Sequence, residues 1–200
     1  MMGVADTQAR LRRRGFLLEY FSMAWMTLEA VIAIAAGAAA HSIALIGFGL
    51  DSVIEFAAAG IVIWELRGAD RERERSATRM SGATFFILAA YVTTESVRDL
   101  LTDARPERSL PGLAITVAAV IVMPALAAGK RRVGRALVNQ TLLADAAETT
   151  FCALLSATAI LGLSLNAVFS WRWADPAAAL VIAGFAVREG LEAWEGSDDD

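Results

Sequence analysis

At 200 residues, 56% of them hydrophobic, and a mean hydropathy of +0.51, the chain exceeds the apolar share of about 45–50% usual for a soluble domain. A single cysteine excludes an internal disulfide and any cysteine-rich zinc motif. The net charge of −4 says little, because the basic residues gather into short runs, and loops of that kind reflect membrane topology rather than nucleic-acid binding.

Between the charged runs lie six apolar stretches of roughly 20 residues, the length that crosses a bilayer core. The expected fold class is therefore all-α, an integral membrane bundle of six transmembrane helices. Residues 1–15 form a basic segment, 16–194 the transmembrane domain, and 195–200 an acidic tail, EGSDDD. The start, MMGVADTQARLRRRGF, shows no cleavage signal of the secretory kind, and the apolar stretch after it is long enough to stay in the membrane.

In chain order the pattern predicts helices over 16–36, 42–66, 77–101, 110–128, 137–163 and 171–193. The short connection at Gly37–His41 implies a tight antiparallel hairpin of the first two. Pro111 and Pro176 fall in the first turns of helices four and six, where a missing N–H is harmless, and Pro124 falls late in helix four, a place for a kink. Asp175, just before Pro176, reads as an N-cap. Gly37, Gly47, Gly49 and Gly60 read as close-packing positions, and Trp171, Trp173 and Trp194 as interfacial anchors.

Fourteen of the 18 Lys and Arg residues fall on one side of this topology. They are Arg10 to Arg14, the run from Arg67 to Arg79, Lys130 to Arg135, and Arg188. The positive-inside rule makes that side, and both termini, cytoplasmic. Abundant Ala and Arg with almost no Lys suit a GC-rich bacterium, so the expected location is the bacterial plasma (inner) membrane, spanned several times.

Two polar pairs interrupt helices that are otherwise fit for lipid. Asp51 and Glu55 share one face of helix two, four residues apart, and Glu148 and Cys152 repeat that spacing in helix five. A carboxylate at membrane depth costs about 2.5–3.5 kcal/mol on insertion scales, so it rarely lies there without a function. At 1.5 Å per residue, Asp51 and Cys152 lie roughly 14–16 Å below the outer surface, and Glu55 and Glu148 roughly 20–22 Å. If helices two and five are neighbours, four ligand atoms converge near the bilayer middle. Oxygen and sulfur donors together suit zinc or cadmium, whereas carboxylates alone would suit manganese or magnesium. Ligands must lose protons to bind metal, so returning protons displace it, and antiport follows if the site opens to one side at a time. A lone buried cysteine is also a common small apolar residue, which leaves Cys152 with two readings. Glu29, Glu95 and Asp145 are further intramembrane acids, candidates for a proton or ion pathway. Asp145 equally fits an interfacial carboxylate near Arg135. His41 falls in a loop. No nucleophile–base set, phosphate loop or zinc-hydrolase spacing points to an enzyme.

These segments resemble the membrane half of the cation diffusion facilitator (cation efflux) family. SIALIGFGLDSVIEF is similar to the family's second helix, with Asp51 and Glu55 at its ligand positions. LLADAAETTFCALLSATAILGL is similar to the fifth, where Glu148 and Cys152 stand in place of the usual His and Asp. WRWADPAAALVIAGF is similar to the start of the sixth. The resemblance covers residues 16–194 and implies six transmembrane helices, a homodimer, and export of a divalent metal (zinc first, with cadmium, cobalt, manganese or iron as others) against protons. The chain departs from the pattern in having no histidine in the ligand set and no His-Gly-rich segment in RGADRERERSATRM. It is read as the transmembrane domain without the C-terminal cytoplasmic domain that most members carry. Those departures keep two other readings open, a non-transporting scaffold or partner subunit on the same fold and an exporter of organic cations.

Overall fold

A computed structural model describes residues 4–67, 71–102, 107–169, 171 and 173–195. The chain forms six helices and, among the described residues, no strand. They are α1 (Val4–Ala40), α2 (Ile43–Leu66), α3 (Arg71–Thr102), α4 (Leu110–Leu137), α5 (Gln140–Phe169) and α6 (Ala174–Glu195). The acidic tail beyond Glu195 and the side chains of the run Arg71–Arg79 lie outside what is described.

Among the described residues, four helices are long and apolar enough to cross a membrane, over Asp6–Ala40, Ile43–Trp64, Leu110–Leu137 and Thr141–Asn166. In α3 the apolar run is broken by the Arg-Glu repeat at its start, and in α6 by Asp175, Arg188, Glu189 and Glu192. These two helices pair extensively with each other, and α2 touches both. The other main pairings are α1 with α2 and α4 with α5; α2 also lies against α5. The surface is apolar, with Val31, Ile87, Ile121 and Leu161 each more than 60% exposed, while Glu19, Glu29, Asp51, Glu55, Lys130 and Asp145 are buried. A soluble protein would invert that arrangement; a bundle in lipid requires it.

The first connection is as tight as the sequence implies. Ala40 ends α1, His41 takes a left-handed φ of 53°, and the Ser42 N–H returns to the Gly37 carbonyl at 2.9 Å. A side-chain carbon on Gly37 would stand 2.9 Å from the Ile46 backbone nitrogen, and one on Gly49 3.0 Å from that of Ile34. These two positions let the backbones of α1 and α2 approach closely. Gly60, expected to do the same, has open space there.

Three details differ from expectation. Helix α1 takes in its basic segment by starting at Val4 instead of after it, and α4 runs on through Lys130–Arg135 instead of ending near residue 128. Residues Lys130–Arg135, expected in a loop, are helical; Lys130 meets Glu19 and Asp145, and Arg131 donates to Thr150 Oγ1 at 3.1 Å on α5. Helix α4 then ends on Val138 in the left-handed conformation, and the Asn139 N–H bonds to the Gly134 carbonyl at 3.0 Å. Asn139 in turn caps α5, its Oδ1 accepting from the Leu142 N–H at 2.7 Å, so only two residues join the helices. The third difference concerns Asp175, which lies inside the first turn of α6 and does not cap it. Its carboxylate reaches the start of α2, accepting from Ser42 Oγ at 2.5 Å and from the Ala44 N–H at 3.3 Å. The free N–H groups and positive dipole end of α2 outcompete its own helix for that charge.

Substituting Gly37→Val should force the α1–α2 hairpin apart. We expect a loss of about 1–3 kcal/mol, the cost of overpacking, read as a lowered unfolding temperature of the detergent-solubilised protein. Gly60→Val should leave that temperature unchanged.

Candidate metal centre

Spacing alone puts Asp51 and Glu55 on one face of α2, and packing turns that face toward α5. One ligating atom each from Asp51, Glu55 and Cys152 lies within 4.8 Å of the other two. All three residues are buried, with exposures of 5%, 5% and 1%. Ligands around a single tetrahedral ion stand roughly 3.3–3.8 Å apart, given metal–ligand bonds of about 2.0–2.3 Å. The cluster would therefore need to tighten by at most roughly 1.5 Å to hold one ion.

These groups face a cavity of about 10 Å³, enough for a single water or ion. Its lining combines Asp51, Glu55, Glu148 and Cys152 with Phe85 and Phe185. Glu148 stands outside the close trio but in the same cavity, and it is half-buried where the trio is buried. Among the described residues Glu55 Oε2 is buried without a hydrogen-bond partner, although the residue lines the cavity. A buried carboxylate oxygen left so is costly unless a cation or water serves it.

Glu29, read from sequence as a pathway residue, packs directly behind this cluster. Fully buried on α1, it accepts from Ser52 Oγ at 2.6 Å and from Trp25 Nε1 at 2.7 Å, and Cys152 Sγ approaches it at 3.8 Å. Ser52 thus serves Glu29 and not its neighbour Asp51. Glu95 is not brought to the cavity; it pairs with Arg98 one turn away, at 3.2 Å on the surface of α3. His41 stays exposed in its turn.

Asp145 lies three residues before Glu148 but has a different partner. Lys130 Nζ is 2.5 Å from Asp145 Oδ2 and 3.1 Å from Glu19 Oε2, and all three groups are buried. This ion triad ties α1, α4 and α5 together and accounts for the buried charge of Asp145. It does not involve Arg135, which is exposed. Glu19 and Lys130 escaped the sequence reading because Lys130 sat among loop arginines; the one lysine in a basic run was the available signal.

Glu189 was missed as well. It lines the same cavity from α6, on a stripe with Ile182, Phe185 and Ala186 at helical spacing. An acid inside a predicted span was the criterion that singled out Glu29 and Glu95, and it applied equally here.

A sequence profile of the cation efflux transmembrane domain matches residues 20–195. Transmembrane protein 163 of Xenopus laevis is 24% identical over 138 residues, covering 67% of this chain and 49% of that protein. A protein of Synechocystis sp. named "Uncharacterized transporter sll1263" is 27% identical over 157 residues, covering 73% of this chain and 50% of that protein. The chain spans about half the length of both relatives.

Replacing Lys130 with Ala would leave Glu19 and Asp145 buried without their counter-charge. Breaking one side of a buried pair costs about 3–5 kcal/mol, so the variant should unfold at markedly lower temperature in detergent. Adding Glu19→Gln and Asp145→Asn, which remove the stranded charges, should recover part of the loss.

Proposed function

The chain belongs to the cation efflux family through its transmembrane domain, and on that premise we propose that it carries a divalent transition-metal cation across the membrane on Asp51, Glu55 and Cys152, with Glu148 beside them. The observation that carries this reading is the convergence of two carboxylates and a thiol, from helices about a hundred residues apart in sequence, on one buried cavity. No Lys or Arg among the described residues forms an ion pair with Asp51, Glu55 or Glu148. Their compensating charge must then be protons or an external cation.

The donor set selects the cargo. Two carboxylates and a thiolate suit zinc, with cadmium next, and disfavour magnesium, which prefers oxygen ligands alone and keeps its waters. The cavity's size, about 10 Å³, supports an ion over an organic amine. Each carboxylic acid and the thiol must release its proton before it can ligate, and protons arriving from the other side return the site to its empty form. Metal and protons thus exchange on the same groups, which is antiport. The excess of Arg at the end carrying the termini supports a cytoplasmic placement of that end, and hence efflux from a bacterial cytoplasm across the inner membrane. In this reading the protein works as a homodimer within the bilayer.

Zinc uptake into proteoliposomes tests the mechanism. An acidic interior should drive zinc inward as protons leave, and dissipating the gradient with a protonophore should abolish the accumulation. Asp51→Ala should remove at least nine-tenths of the flux while the protein stays folded by circular dichroism. Unchanged flux in that variant would overturn the assigned site. Stoichiometric zinc binding without flux would favour a non-transporting partner subunit on the same fold.

A further inference from the structure

The cavity has a graded wall. Asp51, Glu55 and Cys152 are buried, whereas Glu148 and Glu189, from α5 and α6, are half-buried and line the same space. The two half-buried acids are therefore its rim, and the trio is its floor. Glu189 Oε1 is nonetheless buried and, among the described residues, has no hydrogen-bond partner.

The neighbouring arginine does not supply one. Arg188 Nε donates to Glu192 Oε1 at 2.7 Å, one turn on, and its guanidinium lies 4.8 Å from the centre of the Phe151 ring. Those contacts bring α6 against α5 and leave the Arg188 guanidinium paired with Glu192 rather than hydrogen-bonded to Glu189. Glu55 Oε2, in a residue only 5% exposed, is likewise buried without a partner in the same cavity. Carboxylate oxygens at both the rim and the floor are thus left for something that enters between them.

We propose that Glu189 and Glu148 form an outer cation station at the rim of the cavity, which takes a partly hydrated divalent ion before it passes to Asp51, Glu55 and Cys152. This rests on the transport reading above and adds a ligand group from α6. Two carboxylates without sulfur suit hard or partly hydrated cations and discriminate little among divalent metals. Choice of metal falls to the floor, where Cys152 adds a soft donor. Capture and selection are then separate steps on separate helices.

The test uses the full chain, with zinc and manganese as probes, in equilibrium binding and in proteoliposome flux. Glu189→Gln should weaken binding of both metals alike, by roughly tenfold, and raise the KM for flux by a similar factor with kcat little changed. Glu189→Asp should recover most of the affinity, and Glu107→Gln, an exposed carboxylate outside the cavity, should match the unaltered protein. Cys152→Ser should instead alter the ratio of zinc to manganese affinity. Wild-type affinity and KM in a folded Glu189→Gln protein would overturn the outer station and leave the transport reading intact. Failure of the unaltered protein to bind either metal would overturn both.

Discussion

Burying charge inside an apolar bundle is the constraint on which the rest of this structure depends. A carboxylate among lipid-facing helices has no water to fall back on, so each must meet a cation, a proton or a hydrogen-bond donor within the protein. The chain solves this in two ways, side by side. On one side the ammonium of Lys130 is built in and holds Glu19 and Asp145. On the other side Asp51, Glu55 and Glu148 have no such fixed partner among the described residues, and an unpartnered oxygen faces a cavity. The first arrangement carries its own counter-charge, and the second has none among the described residues. Asp145 and Glu148, one helical turn apart on α5, belong to opposite arrangements.

The framework around the cavity is made stiff by local means. Two-residue connections join α1 to α2 and α4 to α5, each opened by a residue in the left-handed conformation, His41 and Val138. Close backbone approach at Gly37 and Gly49 locks the first hairpin, and the Asp175 carboxylate pins α6 to the start of α2. Glu29, held by Ser52 and Trp25, then stands behind Cys152 as a fixed wall. On the transport reading proposed above, such support matters, because a ligand cage that relaxes freely discriminates poorly between metals.

Helix spacing is a local property, and that is why so much was legible in advance. The six helices, the tight first hairpin and the two i, i+4 pairs all follow from residues within a few turns of one another. What periodicity cannot give is the rotation of one helix about its axis relative to another distant in sequence. Lys130 looked like one more cytoplasmic cation because nothing nearby in sequence reveals Glu19, more than a hundred residues away. Asp175 looked like a cap for its own helix because the competing N-terminus lies 131 residues earlier. Glu189 sits beside Arg188 late in the last span, and only the packing of α6 shows which of the two lines the cavity.

The sequence by itself determined an all-helical chain of the cation efflux kind and the polar pairs on its second and fifth helices, because apolar run length and 3.6-residue periodicity are written locally. Tertiary structure decided which of those acids share a cavity. It drew Cys152 to both Asp51 and Glu55, left Glu148 and Glu189 lining the same cavity, and gave Asp145 to Lys130. The physical reason is that a buried charge takes the partner that helix packing sets within a few ångströms of it, and sequence separation plays no part in that choice.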